Sequence, residues 1–119
     1  MKSTNSDIME MTQKLLDYIE EIEKRFIHTQ ENKEEPDFFN EVKPFADQVH
    51  NLLVEWEKET VEWLRIAAPK YIHSQQIVST VENVNYVTVQ CFYPDTREKR
   101  FKGMIQSIRY VLNDILSKK

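Results

Sequence analysis

Glycine is almost absent from the 119-residue sequence, which contains only Gly103. Rossmann-like folds and β-sandwiches need glycines in their phosphate loops and turns, so this scarcity argues against both. Cysteine is equally scarce. With Cys91 alone, the chain can form no internal disulfide and offers no cysteine cluster for zinc. Because Cys91 lies among valines and aromatic residues, we interpret it as a small buried hydrophobic residue rather than a nucleophile.

Long apolar runs are also missing. No stretch approaches the roughly 18 apolar residues of a membrane span. The N-terminus, "MKSTNSDIMEM", lacks the continuous apolar segment of a signal peptide. These absences predict a cytoplasmic protein that does not enter a membrane.

The overall composition, 40% hydrophobic and 30% charged residues, fits a folded, helix-rich domain. The charges are unevenly divided. Residues 1–60 contain 15 acidic and 7 basic residues, whereas residues 61–119 contain 5 acidic and 9 basic residues. This division favours packing of one half on the other, or binding of an acidic partner by the second half.

Apolar residues recur in steps of three and four, which is the spacing of amphipathic helices. The first stripe comprises Ile8, Met11, Leu15, Tyr18, Ile19, Ile22 and Phe26. Similar stripes predict four helices, over about residues 6–31, 38–68, 74–92 and 96–117, in a single domain spanning residues 1–119. With short connections they must pack against one another. We therefore predict an all-α fold, an up-down-up-down antiparallel four-helix bundle.

The third segment is ambiguous, because "YVTVQCFY" (residues 86–93) is β-branched and aromatic, like a strand. Upstream, however, Ile77, Val81, Val84 and Thr88 keep the helical step, and an isolated strand would have no partner. We predict a helix.

The helix boundaries carry several capping signals. Ser74 is a candidate N-cap for the third helix, and Asp95 with Glu98 resembles a capping box before the fourth. The second helix begins between Asp37, which can cap "FFNEV", and Pro44, as a turn followed by a helix or as one kinked helix. Candidate N-caps for the first helix are Ser3, Thr4, Asn5 and Ser6.

Three segments in this order, "DFFNEVKP", "PKYIHSQQI" and "EKRFKGMIQSI", resemble the YppE-like family of small bacterial proteins. The resemblance covers most of the chain from about Met9. It implies an all-helical bundle from a Gram-positive cytosol. It brings no activity and no functional residues.

The stretch "APKYIHSQQI" (residues 68–77) contains residues that could form a catalytic site. We interpret it as the joint between two helices, which Pro69 ends, with Tyr71 and Ile72 folding back onto the core. An acid–base site formed by Lys70, Tyr71 and His73 is the alternative, but no neighbouring carboxylate would orient the imidazole.

A di-metal site in a helical bundle needs two Glu-x-x-His motifs, and the chain offers one near-match, Asp47-x-x-His50. We therefore predict no catalytic residues, no metal ligands and no cofactor.

Four bases, Arg97, Lys99, Arg100 and Lys102, occupy the start of the fourth helix, and we call them the basic cluster. The N-terminus is the positive end of a helix dipole, so cations there are unfavourable. The predicted compensation is a set of ion pairs with the acidic helix 1–2 connection, which carries Glu31, Glu34, Glu35, Asp37 and Glu41.

Phe38 and Phe39 are adjacent and cannot both point into one seam, so one should cover the end of the bundle. The functional hypothesis is a non-enzymatic protein-interaction module with this pair as apolar anchor and the basic cluster as its rim. One alternative is an anion- or nucleic-acid-binding protein, which the net charge of −4 disfavours. A metal-binding or enzymatic bundle and a self-associating structural protein are the others.

Overall fold

The computed structural model describes residues 5–118, with side chains from Asp7 onward. Four helices follow one another: α1 (Asn5–Asn32), α2 (Lys43–Ala67), α3 (Ser74–Gln90) and α4 (Glu98–Leu116). A π-helical turn (Phe38–Val42) precedes α2 and runs directly into it. Among the described residues, no helix is long and apolar enough to cross a membrane.

The helices form a closed ring in which each packs on the next and α4 returns to α1. α1 and α2 run in opposite directions. The start of α1 meets the far part of α2 through Thr12 and Trp56, and Arg25 near its end meets Glu41 before α2. The stack of Phe26 on Phe101, at 4.0 Å between centroids, joins the end of α1 to the start of α4. The predicted four-helix bundle is confirmed.

The core consists of the predicted apolar stripes. Every helix contributes at least four buried side chains, so no helix is peripheral. The largest fully buried ones are Trp56, Phe101, Ile8, Leu15, Ile19, Ile22, Leu53, Ile77, Ile108, Leu112, Ile115 and Val42.

The ambiguous third segment begins as a helix, as predicted, but α3 ends at Gln90 rather than at about residue 92. Val84, Val87 and Thr88 are buried between the neighbouring helices, where branched side chains fill the core. The hydroxyl of Thr88 donates to the carbonyl of Val84 at 2.6 Å, so its polar atom is satisfied inside the helix. Tertiary packing decides the conformation here against the β propensity of the residues.

Two predicted caps are wrong. The N-cap of α3 is His73, whose backbone N–H donates to Oε1 of Gln76 at 2.7 Å, and Ser74 already belongs to the helix. The N-cap of α4 is Arg97, which makes no side-chain capping bond, so Asp95 forms no capping box. Of the candidates before α1, Ser3 and Thr4 lie outside the described residues, and Asn5 and Ser6 are part of α1.

The joint between α2 and α3 turns without glycine. Ala68 and Tyr71 have positive φ angles of 45° and 69°. Ile72 is buried at 5% exposure and closes the core as predicted, but Tyr71 is 77% exposed. The prediction that both fold back is therefore wrong for Tyr71. Its left-handed backbone turns its side chain away from that of Ile72.

One buried polar contact fixes α2 against α1. The indole N–H of Trp56 donates to Oγ1 of Thr12 at 2.9 Å, and this hydroxyl donates to the carbonyl of Ile8 at 2.7 Å. Both side chains are fully buried. Thr60 is equally buried, but its hydroxyl has no hydrogen-bond partner within the described part of the chain.

We expect Thr12→Val to destabilise the fold by about 1–3 kcal/mol, because it leaves a buried indole N–H without an acceptor. Thr60→Val is the matched control. It removes a hydroxyl that has no hydrogen-bond partner among the described residues, so it should leave stability unchanged or increased. Chemical denaturation of the three proteins measures this difference, and equal losses in both variants would contradict the assigned role of Thr12.

Candidate interaction site

The π-helical turn is held by side-chain hydrogen bonds. The side chain of Asp37 caps it, since Oδ1 accepts the backbone N–H of Asn40 at 3.1 Å and Oδ2 accepts the Asn40 side-chain amide at 2.7 Å. These bonds, chiefly the one from the Asn40 side chain, lower the pKa of Asp37 below its usual value.

Arg25 of α1 attaches this turn to the bundle. Its guanidinium donates to Oε2 of Glu41 at 2.7 Å and lies 4.6 Å from the ring centroid of Phe92. Oε1 of Glu41 accepts the backbone N–H of Asp37 at 3.1 Å. That backbone bond and the bond from Arg25 lower the pKa of Glu41. Three elements thus meet at one arginine: α1, the π-helical turn and the connection after α3.

Phe38 and Phe39 form the aromatic pair of this end of the molecule. Their rings meet edge to face at 5.3 Å, with Phe38 46% and Phe39 75% exposed. The prediction that one of them covers the bundle end is wrong. Val42, one turn later, is fully buried and fills that place. The aromatic pair is therefore left to solvent on a structured turn.

The basic cluster does not form the predicted ion pairs across the bundle. Lys102 pairs with Glu98 of its own helix at 3.0 Å, and the guanidinium of Arg100 lies 5.0 Å from the ring centroid of Tyr86. Within residues 7–118, Arg97 and Lys99 form no ion pair. The reason lies in the ring order. The π-helical turn packs on α2 and is joined to α1 by the Arg25–Glu41 pair, whereas α4 packs on α1 and α3.

The aromatic pair and the basic cluster lie at the same end of the bundle, because α1 leads into the π-helical turn and its last part stacks on the start of α4 through Phe26 and Phe101. The end of α1 also reaches the connection before α4, since the Gln30 amide donates to the carbonyl of Pro94 at 3.3 Å. No ion pair, aromatic contact or cation–π contact between described residues joins the aromatic pair to the basic cluster. The aromatic pair and the basic cluster are therefore separate features of the same end of the bundle.

The candidate catalytic and metal-binding residues are not assembled. Among the described residues, no group of three or more His, Cys, Asp or Glu side chains could hold a metal ion. In the near-match motif, Asp47 pairs with Lys43 at 2.8 Å and His50 lies 3.4 Å from the Asn85 side chain. Around the joint, His73 serves as a helix cap.

Cys91 is fully buried, as predicted. Its thiol donates to the carbonyl of Thr88 at 3.3 Å. Burial raises the pKa of this thiol to about 12. A thiol with such a pKa does not supply a thiolate at neutral pH.

Comparison with known proteins places this architecture in a family. Residues 12–118 match the family described as Bacterial domain of unknown function (DUF1798). The chain belongs to this family. A curated relative, the Uncharacterized protein YppE of Bacillus subtilis (strain 168), is 26% identical over 108 residues, covering 91% of this chain and 88% of YppE. The resemblance to YppE-like proteins is confirmed.

Solved structures of related proteins share the fold of this DUF1798 domain. The crystal structure of YppE from Bacillus subtilis superposes with a TM-score of 0.91 at 24% identity, covering 97% of this chain and 94% of YppE. A protein from Listeria innocua gives 0.91 at 22% identity, with 95% and 90% covered. A DUF1798 domain from Staphylococcus aureus gives 0.89 at 21% identity, with 97% of each chain covered. These likenesses establish the bundle.

The residue that sequence reasoning missed in this DUF1798 domain is Arg25. Its position beside Ile22 and Phe26 of the α1 stripe is a signal that its side chain borders the core. Asp37 and Glu41 are separated by one turn, which is the other signal. Neither pattern identifies Phe92 as the ring beneath the guanidinium.

We expect the π-helical turn to loosen in acid. Because the pKa values of Asp37 and Glu41 are lowered, their stabilisation is fully present above the ordinary values of 3.8 and 4.5 and is lost as the pH falls through the lowered ones. Carboxyl carbon shifts of both residues, followed by NMR, should show midpoints below those ordinary values. Glu10, which pairs weakly with Lys14, is the reference carboxylate. Midpoints for Asp37 and Glu41 at or above their ordinary values would contradict the capping role.

Proposed function

We propose that this DUF1798 domain is a small, non-enzymatic protein-interaction module that binds through the end carrying the π-helical turn. The observation behind this proposal is the aromatic pair, exposed although the turn that bears it is held by the Asp37 cap and by the Arg25–Glu41 pair. Exposed aromatic side chains on a pre-organised backbone lose little conformational entropy on binding.

The basic cluster supplies the polar rim of this proposed site. Arg97 and Lys99 are exposed and form no ion pair among the described residues, so their charges are available to an acidic partner surface. Arg100 is oriented by the ring of Tyr86. Charged rims chiefly raise the rate of association, while buried aromatic anchors dominate affinity.

The experiment is affinity capture from the cytosol of the source bacterium with matched variants. Phe38→Ser/Phe39→Ser removes the anchor and Arg97→Glu/Arg100→Glu reverses the rim. The control, Lys70→Glu/Tyr71→Ser, makes the same kinds of change at the exposed joint on the opposite end. Circular dichroism shows whether each variant is folded.

We expect a stoichiometric partner that is retained by wild type and the control and lost from both site variants. Removing an aromatic anchor typically costs 2 kcal/mol or more of binding free energy, roughly a 30-fold loss of affinity. Recovery of the same proteins by all four forms, or of none by wild type, would overturn the proposal.

Binding of nucleic acid is the second candidate, because Arg97 and Lys99 are unpaired in the described part of the chain. The net charge of −4 weighs against it. Salt-dependent retention on RNA or DNA that Arg97→Glu/Arg100→Glu abolishes and Phe38→Ser/Phe39→Ser leaves unchanged would favour this candidate over the first.

A further inference from the structure

The helix that ends at Ala67 effectively begins at Phe38, because the π-helical turn runs into α2 without a break. Pro44 therefore lies inside a continuous helix, past its first turn. Proline is tolerated in the first turn, where its missing N–H would have no partner. Farther inside an α-helix, its ring collides with the carbonyl four residues earlier, and a backbone hydrogen bond is lost. For Pro44 that carbonyl belongs to Asn40.

The backbone hydrogen bonds of the π-helical turn widen toward this proline. The N–H of Glu41 donates to the carbonyl of Asp37 at α spacing and 2.8 Å, and the N–H of Val42 reaches the same carbonyl at 3.4 Å. The N–H of Lys43 donates to the carbonyl of Phe38, five residues earlier. The next residue is the proline, so the change from π to α spacing falls at the residue that has no N–H to donate.

The wider turn changes the direction of the aromatic side chains. In a straight α-helix, Phe38 would be in line with Val42, one turn along, and with Trp56, about five turns along. Both of these residues are fully buried. A turn closed five residues back contains one residue more than an α turn, which rotates the residues before it by about 100°. Phe38 is 46% exposed, although α spacing would place it on the buried stripe of α2.

We infer that Pro44 forces the π register and thereby turns the aromatic pair out of the bundle. The link to binding rests on the proposed function, whereas the register does not. The side-chain contacts of the turn are compatible with either register. Any α-helix start can use a cap like that from Asp37 to the N–H of Asn40, and the pair of Arg25 with Glu41 does not bar an α turn. Proline differs because it makes the α register sterically unfavourable.

Without the proline ring, the turn could close at α spacing. Phe38 would then join the buried stripe beside Val42, and Phe39 would move to the direction that Phe38 now has. The aromatic pair would be divided between the edge of the core and the solvent. Pro44 is thus a positioning residue for the proposed anchor, although its own side chain is not part of that anchor.

Structures of Pro44→Ala and Pro44→Ser, determined by crystallography or NMR, test this role beside wild type and the matched control Pro36→Ala. Pro36 lies before the turn, outside the helix. In both Pro44 variants, the N–H of Lys43 should donate to the carbonyl of Phe39 instead of Phe38. The exposure of Phe38 should fall below half of its present 46%. Wild type and Pro36→Ala should keep the π turn.

Ring accessibility in solution distinguishes positioning from a merely structural role. A soluble paramagnetic agent should relax the ring protons of Phe38 less in Pro44→Ala than in wild type. A proline that only stiffens the chain would change stability and leave this relaxation unchanged. A π turn retained in the Pro44 variants, a π turn lost from Pro36→Ala, or an unchanged exposure of Phe38 would overturn the role of Pro44.

The capture experiment, repeated with Pro44→Ala, connects the register to binding. We expect this variant to lose the partner that wild type and Pro36→Ala retain. A partner retained by Pro44→Ala in the α register would overturn the link between register and binding. Capture of no partner by wild type would overturn the proposed function, while the structures of the variants would still decide the role of Pro44.

Discussion

Arg25 holds together the end of the bundle that carries the exposed aromatic pair. Its guanidinium donates an edge to Glu41 while its face lies against the ring of Phe92. Arginine suits this position better than lysine, because a planar guanidinium can lay its face on a ring while its edge hydrogen-bonds to a carboxylate. The pair with Glu41 fixes the π-helical turn, and the turn in turn determines where Phe38 and Phe39 point.

The contact at Arg25 continues along the seam between α1 and α2. Phe92 meets Phe45 edge to face, and Phe45 meets Tyr18 in the same way, each at 5.8 Å between centroids. At the far end of the seam lies the buried bond between Trp56 and Thr12. Sliding α1 by one turn would break the polar contacts at both ends, so apolar packing supplies the stability and these contacts supply the register.

The architecture was predictable because each helix carries an apolar stripe at helical spacing, and four such stripes have few ways to cover one another. The strand-like segment from Tyr86 was predicted correctly because its upstream residues keep the helical step. Contacts made by polar side chains were predicted less well. The helix start at His73 depends on a backbone bond to Gln76, and the partners of the basic cluster depend on which helices are neighbours in the ring. Spacing along the chain encodes neither.

Only some of the basic residues in the second half of the chain pair with acidic residues in the first half. Arg109 of the second half pairs with Glu23 of the first, but Lys102 and Arg65 pair within their own helices. Basic charge at the start of α4 therefore remains directed outward, together with the acidic end of α1.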